Sequence, residues 1–191
     1  MANVNKARGL RLWRGGGFTS FTTRKCFVPA TDGTALYVGD PVNLAGASDA
    51  EGKYPTVTIA TAGAGNLVYG VIVSFEESDT DNNNYRTAST ARYCNVCVDP
   101  HAIYIIQEDS VGGAVAAASV GLNADLVAGT GSTVTGESGW LLDSNTVNTT
   151  ANLQLRILGI APVAGNTVAT DYCDWLVVLN QITEHAGVAG V

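Results

Sequence analysis

Short apolar segments separated by turn-forming residues occur along most of this chain, and this pattern restricts the folds that the chain can adopt. Residues 56–60 alternate strictly between polar and apolar side chains, as a half-buried strand does, and residues 67–75 are almost continuously apolar. About nine to eleven such segments recur at spacings of about 8–15 residues, without intervening helical patterns. The pattern predicts an all-β fold, either a β-sandwich, a jelly-roll-like fold or a small barrel, with at most one short helix within residues 111–128.

Turn chemistry supports this prediction near the beginning of the strand-rich region. Asp32-Gly33 lies between the apolar segments 26–28 and 35–38. Asp-Gly between two strand-like segments is a strong signal for a β-hairpin, because both residues tolerate the backbone angles that a tight turn requires. The sequence therefore predicts that these two segments pair with each other.

The distribution of charge divides the chain into a basic start and an acidic remainder. Residues 1–25 hold six of the ten basic residues, and no acidic residue precedes Asp32. The net charge of −7 therefore combines +6 in residues 1–25 with −13 in the remainder, which has four basic and seventeen acidic residues. Gly15, Gly16 and Gly17 favour a flexible joint. We expect an extended basic N-terminal arm over residues 1–25, a single β domain over 26–185 and a frayed tail over 186–191.

The arm combines basic residues with apolar anchors, which favours a protein partner. An acidic body repels nucleic acid, whose binding depends on neutralising phosphates, whereas a basic arm with large apolar side chains suits a groove on an acidic protein. We expect neither nucleic acid nor a membrane among the partners, and expect removal of residues 2–17 to leave the fold intact while abolishing partner binding. Phe21 adds a further apolar side chain to the arm. The predicted partner-binding residues are Lys6, Arg8, Leu10, Arg11, Trp13, Arg14 and Phe18.

The sequence offers little support for catalysis or for a bound cofactor. Of two histidines, His101 begins a predicted strand and His185 lies near the C-terminus, and no Gly-x-Ser-x-Gly motif accompanies them. The acidic pairs lie in polar loop sequence, where carboxylates are usually solvated, and residues 79–83 match only a fragment of a calcium loop. These pairs are Glu76-Glu77, Asp79-Asp81 and Glu108-Asp109. We expect no enzymatic activity, no cofactor and no metal.

The cysteines and tryptophans of the strand-rich region are expected to belong to the core. Cys94 and Cys97 form a C-x-x-C motif, but residues three apart on one strand point to opposite faces and cannot share a metal ion. We therefore expect free, buried or half-buried thiols. Trp140 and Trp175 lie in strand sequence and are predicted to be core residues, whereas Trp13 lies outside the strand pattern.

The order of segments resembles a known family. A start of Met-Ala-Asn-Val-Asn-Lys precedes Thr-Asp-Gly-Thr-Ala-Leu-Tyr-Val-Gly-Asp-Pro-Val at residues 31–42 and Tyr-Gly-Val-Ile-Val-Ser-Phe at 69–75. Leu-Gln-Leu-Arg-Ile-Leu-Gly follows at 153–159 and Asp-Trp-Leu-Val-Val-Leu-Asn at 174–180. In this order the segments resemble the small head-decoration, or cement, proteins of tailed bacteriophages. The resemblance spans most of the chain through strand and turn signals and marks no individual functional residue.

The resemblance implies a protein made in the host cytoplasm that sits on the exterior of the virion. It implies contacts with the major capsid protein, whose subunits it would bridge, and a homodimer or homotrimer at symmetry axes. Two other interpretations remain open. One is a tail or baseplate component, and the other is a carbohydrate-binding β-sandwich that uses Tyr85 with the asparagines at 82–84.

Overall fold

The computed structural model describes residues 3–15 and 21–183, which form an all-β structure. Within these residues the only helical segments are two three-residue 3-10 turns, Ala117–Ser119 and Ser144–Thr146, where the sequence predicted at most one short helix. The strands in chain order are β1 (Arg11–Arg14), β2 (Thr23–Val28), β3 (Pro41–Ser48), β4 (Pro55–Ile59), β5 (Gly70–Phe75), β6 (Arg92–Cys97), β7 (Ile103–Gln107), β8 (Asn123–Ala124), β9 (Leu126–Val127), β10 (Leu141–Leu142), β11 (Leu155–Ile160) and β12 (Asp174–Leu179).

A small closed barrel forms from the strands between residues 23 and 97. Its strand order is β2-β4-β3-β5-β6, and the contacts are antiparallel except between β2 and β4. Alternate side chains point inward and fill the interior, since successive residues of a strand face opposite sides. The buried interior consists of Cys26, Val28, Leu36, Val42, Val57, Tyr69, Ile72, Cys94, Val96 and Val98.

A five-stranded sheet packs beside the barrel and carries the larger core. Its order is β1-β7-β12-β11-β8, and β9 with β10 forms a separate two-stranded ribbon. Trp175 and Tyr104 are both 0% exposed in this core, and Trp140 is 3% exposed. The prediction that Trp140 and Trp175 are core residues is therefore confirmed.

Strand β6 separates the two cores, and its cysteines show how. Cys94 belongs to the barrel core, whereas Cys97, three residues later, belongs to the core of the sheet. All four cysteines are free and buried, as the sequence predicted. Burial raises the pKa of the Cys26 thiol to about 11 and that of Cys173 to about 12, which keeps both thiols protonated and unreactive at neutral pH.

The N-terminal segment is not a detached arm. Leu10 is 1% exposed within the core of the sheet, and residues 11–14 form β1, which pairs with β7. Strand β2 begins at Thr23, so the predicted domain boundary after residue 25 is wrong. Leu10 is also wrong as a partner-binding residue, because it alternates with Arg11 and faces inward. Residues 186–191, the predicted tail, lie outside the described residues.

Glycines allow this segment to cross the barrel at close range. Leu10 N donates to Gly39 O at 3.0 Å, and a Cβ at Gly9, whose φ is +62°, would overlap the Ser138 side chain. Removal of residues 2–17 would therefore take away an edge strand and a core side chain, contrary to the expectation that the fold would be unaffected.

Candidate partner-binding surface

An irregularity in β1 determines which side chains the N-terminal strand presents. Arg11 pairs with Ile105 and Leu12 with Tyr104, but Arg14 pairs with Ile103, so the register shifts between Leu12 and Arg14. Trp13 is the extra residue of this β-bulge. Bulges commonly re-aim a side chain at the edge of a sheet. Among the described strands β1 is bonded to β7 alone, so this bulge lies on an edge strand.

The bulge turns Trp13 outward and places two arginines on one face. Trp13 is 42% exposed, although a tryptophan in a strand would ordinarily be buried. Ile103 and Ile105, two residues apart on β7, lie on the same face, so their partners Arg14 and Arg11 share that face. Leu12, on the opposite face, packs against the core of the sheet. The strand thus presents an exposed aromatic side chain that Arg11 precedes and Arg14 follows; their role in partner binding stays a prediction.

The remaining predicted contact residues fall into three situations. Lys6 is exposed, and its backbone N donates to Gln107 Oε1 at 2.8 Å. Arg8 and Arg11 are partly exposed and form ion pairs with acidic residues of the body, Arg8 with Glu137 at 3.6 Å and Arg11 with Asp174 at 3.8 Å. Phe18 lies outside the described residues.

Two depressions lie beside this strand. A basic one of about 310 Å³ is lined by Lys6, Arg8 and Arg11 together with the loop at 163–166 and Asp174. A mostly apolar one of about 370 Å³ lies between the N-terminal strand and β5. Phe21 lines the second depression and is 46% exposed. The sequence analysis identified Phe21 only as an apolar residue of the arm, because the depression beside it also includes Val38, Val73 and Glu137, which are distant in sequence.

Two acidic residues that the sequence placed in solvated loops are in fact buried. Glu108 is 0% exposed and accepts hydrogen bonds from Trp175 Nε1 at 2.8 Å and Val115 N at 3.1 Å. Asp81 is 4% exposed and accepts from Thr87 N at 2.8 Å. Burial raises the pKa of Glu108. Burial acts on Asp81 in the same direction, but hydrogen-bond donors from the backbone and from Asn83, together with the charge of Arg92, outweigh it and lower the pKa of Asp81. Both carboxylates act as internal acceptors that order loops.

The described residues contain no cluster of three or more histidine, cysteine or acidic side chains able to hold a metal ion. His101 is exposed, and its backbone N donates to Asp99 Oδ1 at 2.9 Å, a local contact at the beginning of a strand. In the same part of the chain, no helix is both long and apolar enough to span a membrane.

No protein-family model, curated protein or solved structure matches this chain.

A further buried carboxylate, Asp40, lies where the N-terminal segment crosses the barrel. It is 2% exposed, its Oδ2 accepts from Tyr37 N at 2.8 Å, and the Ser138 hydroxyl also bonds to it. Burial outweighs these bonds and raises the pKa of Asp40 to about 6. The ionised form is therefore held at a cost near neutral pH.

We predict that Asp40→Asn changes the pH dependence of stability. The folded-state pKa of about 6 exceeds the unfolded value, so the native state binds the proton more tightly. The resulting stabilisation is present below the unfolded pKa of about 3.9 and is lost as pH rises through about 6. Because two pKa units correspond to about 3 kcal/mol, Asp40→Asn should gain about 2–3 kcal/mol relative to wild type between pH 4 and pH 8.

Urea unfolding at steps of half a pH unit measures this difference. The exposed acid Asp79 supplies the control, and Asp79→Asn should shift the stability profile by less than about 0.5 kcal/mol. A stability difference between wild type and Asp40→Asn that stays constant from pH 4 to pH 8 would show that Asp40 is not the titrating group.

Proposed function

We propose that this protein is a structural virion protein that decorates the exterior of a phage capsid and cements it by bridging major capsid subunits. The observation that carries the proposal is the outward Trp13, placed by a bulge between Arg11 and Arg14 on the basic strand of an otherwise acidic protein. The order of sequence segments that resembles phage head-decoration proteins supports it. The partner would present an apolar pocket with an acidic rim.

Tryptophan and arginine are the side chains that contribute most to binding at protein interfaces. They supply large buried area and charge-assisted hydrogen bonds, and a few such residues dominate the affinity. A standard interface of about 1,600 Å² spans micromolar to picomolar affinity, depending on the quality of such anchors. Repetition over many shell positions, together with a homodimer or homotrimer of this chain, would multiply the effect through avidity.

Incorporation of the basic strand into the folded sheet strengthens this proposal. A flexible arm loses conformational entropy when it binds, at about 0.5–1.5 kcal/mol for each immobilised long side chain, in addition to the cost of ordering its backbone. Residues 11–14 are already held by β7, and Leu12 packs against the core. Trp13 is therefore presented by a preorganised backbone, which favours tight attachment.

We predict that Trp13→Ser weakens attachment to the shell without unfolding the protein. Removal of an interface anchor typically costs at least about 2 kcal/mol, which corresponds to about a thirtyfold loss of affinity. The measurement is sedimentation of fluorescently labelled protein with empty heads assembled from the major capsid protein encoded in the same genome. Leu158→Ser, at a leucine of β11 that is 40% exposed, is the matched control and should bind as wild type does.

Two results would count against the proposal. Wild-type protein that fails to sediment with heads at micromolar concentration would remove the capsid as the partner. Equal head binding by wild type and Trp13→Ser would remove the N-terminal strand as the contact surface.

A further inference from the structure

Three depressions adjoin one another through shared lining residues, and together they are called the trough below. The basic depression and the apolar depression share Arg8 and Arg11 in their linings. The apolar depression in turn shares Val38, Val73 and Glu137 with a polar depression of about 500 Å³ that is lined by the asparagines at 82–84. We call these parts the basic, apolar and amide lobes of the trough.

We propose that this trough binds an extended polypeptide segment of the partner, with acidic residues in the basic lobe followed by apolar residues in the apolar lobe. The inference rests on the proposed function for the origin of that segment and adds its chemistry. Three adjoining depressions suit an extended chain, which advances about 3.3 Å per residue, better than one compact small molecule.

The basic lobe carries an excess of positive charge. Lys6, Arg8 and Arg11 line it, against Asp174 as the acidic residue of the same lining. The ion pairs of Arg8 and Arg11 measure 3.6 and 3.8 Å, longer than the ~2.8 Å of a strong charge-assisted hydrogen bond. Each guanidinium has five N–H donors, so it can donate to an incoming carboxylate while it stays close to its present partner.

The apolar lobe contains apolar side chains that are exposed or only half-buried. Phe21 is 46% exposed, and the half-buried Leu12 and Val73 line the same depression. Covering such side chains stabilises a complex by about 25 cal/mol for each Å² of apolar area removed from water. An exposed aromatic ring beside half-buried aliphatic side chains suits a leucine- or valine-sized residue of a partner.

Charge decides between a partner chain and a second copy of this protein. A twofold contact whose axis passes through the basic lobe would bring Lys6, Arg8 and Arg11 of one copy close to the same residues of the other, because such an interface is formed by one surface patch on both subunits. Like charges placed opposite each other are destabilising. We therefore assign the trough to an acidic segment of a different chain.

Titration of ¹⁵N-labelled protein with two synthetic peptides tests the proposal by NMR. The acidic probe is acetyl-Ser-Asp-Asp-Val-Leu-Val-Asn-amide, and its neutral match has asparagine in place of both aspartates. At low salt we expect chemical-shift changes confined to the trough and about fivefold tighter binding of the acidic probe, since an exposed ion pair contributes up to about fivefold in affinity. The difference should shrink in 0.5 M salt.

Two substitutions with matched controls locate the binding. Lys6→Glu, whose backbone hydrogen bond is unaffected, should abolish the preference for the acidic probe, while the equal charge change Lys53→Glu in an exposed loop should not. Phe21→Ser should weaken both peptides at least fivefold, while Val134→Ser, at a valine that is 86% exposed outside the trough, should not.

Three results would overturn the proposal. Neither peptide binds at millimolar concentration, the chemical-shift changes lie outside the trough, or Lys6→Glu changes the oligomeric state measured by sedimentation velocity. Its failure is distinguishable from failure of the proposed function. Trp13 is not part of the trough lining, so head binding that depends on Trp13 but not on Phe21 would retain the capsid function and remove the trough.

Discussion

Replacement of Arg86 by methionine is expected to lower the free energy of unfolding by about 3–5 kcal/mol, the range for breaking a buried ion pair by removing one partner. Arg86 is 0% exposed although it lies in a loop that is rich in acidic and amide side chains. Its pKa is lowered by burial, an effect that the charges of Asp32 and Asp81 oppose. Arginine nevertheless remains protonated in proteins, so a buried cation holds this region together.

The contacts of Arg86 explain the size of this effect. Nε donates to Thr90 O at 2.6 Å, and Nη1 donates to Thr34 O at 2.6 Å. Nη2 donates to Pro29 O and to Asp32 O, both at 2.8 Å, and the Asp32 carboxylate lies 3.8 Å from Nη1. Methionine fills most of the volume but removes the Arg86 donor from all four carbonyls. Pro29 O and Asp32 O keep backbone donors, Asp32 N at 3.1 Å and Ser89 N at 3.0 Å. The cost therefore falls mainly on Thr34 O and Thr90 O, since each unsatisfied buried group costs about 1–3 kcal/mol.

Arg86→Lys tests whether the stability depends on the positive charge of Arg86 alone or also on the arrangement of its donors. Lysine keeps the positive charge but carries its donors on one atom, which cannot reach carbonyls arranged around a planar fork, so we expect a loss of at least about 2 kcal/mol. Arg14→Lys at an exposed position should change stability by less than about 0.5 kcal/mol. Urea denaturation followed by tryptophan fluorescence measures all three variants. A loss below about 1 kcal/mol for Arg86→Met would show that the carbonyls find water instead.

Arg86 also explains why the predicted hairpin at Asp32-Gly33 is wrong. Strand β2 pairs with β6 and β4, while Leu36 forms an isolated bridge with Arg86 in place of pairing with β2. The chain between them wraps around the guanidinium, to which it contributes three carbonyls. A dipeptide signal reports local backbone preference, whereas this conformation depends on a side chain about fifty residues away in sequence.

Strands were predictable wherever burial imposes a local alternation. Residues 56–60 were predicted as a strand, and β4 spans Pro55–Ile59. Strand β3 extends to Ser48, and its final residues could not be recognised from the sequence because they are exposed and show no alternation of polar and apolar side chains. The all-β class follows from such segments, but their assembly into a barrel and a sheet depends on pairings that periodicity does not encode.

The candidate site was partly predictable. Trp13, Arg11 and Arg14 were identified from charge and aromatic content, and the structure places Trp13 at the surface with a basic residue on either side. Strand β1 itself was missed, because the density of arginine and the adjoining glycines outweighed the alternation of Leu10 and Leu12. The trough could not have been anticipated, since its lining joins the N-terminal strand to β5 and to residues beyond 130.

Leu10→Ala is expected to lower the free energy of unfolding by about 2–5 kcal/mol, the range for truncating a buried leucine and leaving a cavity. Leu10 is among the largest fully buried side chains, and its backbone N donates to Gly39 O where the chain crosses the barrel. Leu158→Ala, at a leucine that is 40% exposed, is the matched control and should cost less than about 1 kcal/mol. Urea unfolding of both variants provides the comparison.

Leu10→Ala also distinguishes the contribution of the N-terminal segment to folding from its contribution to binding. If the segment were a detached arm, Leu10→Ala would leave stability unchanged and weaken head binding directly. If it is an edge strand anchored by Leu10, the variant should unfold at lower urea concentration. At temperatures where it remains folded it should bind heads much more tightly than Trp13→Ser does, because Trp13 is still presented by β1 paired with β7. Unchanged stability with lost binding would restore the arm and contradict the integrated strand.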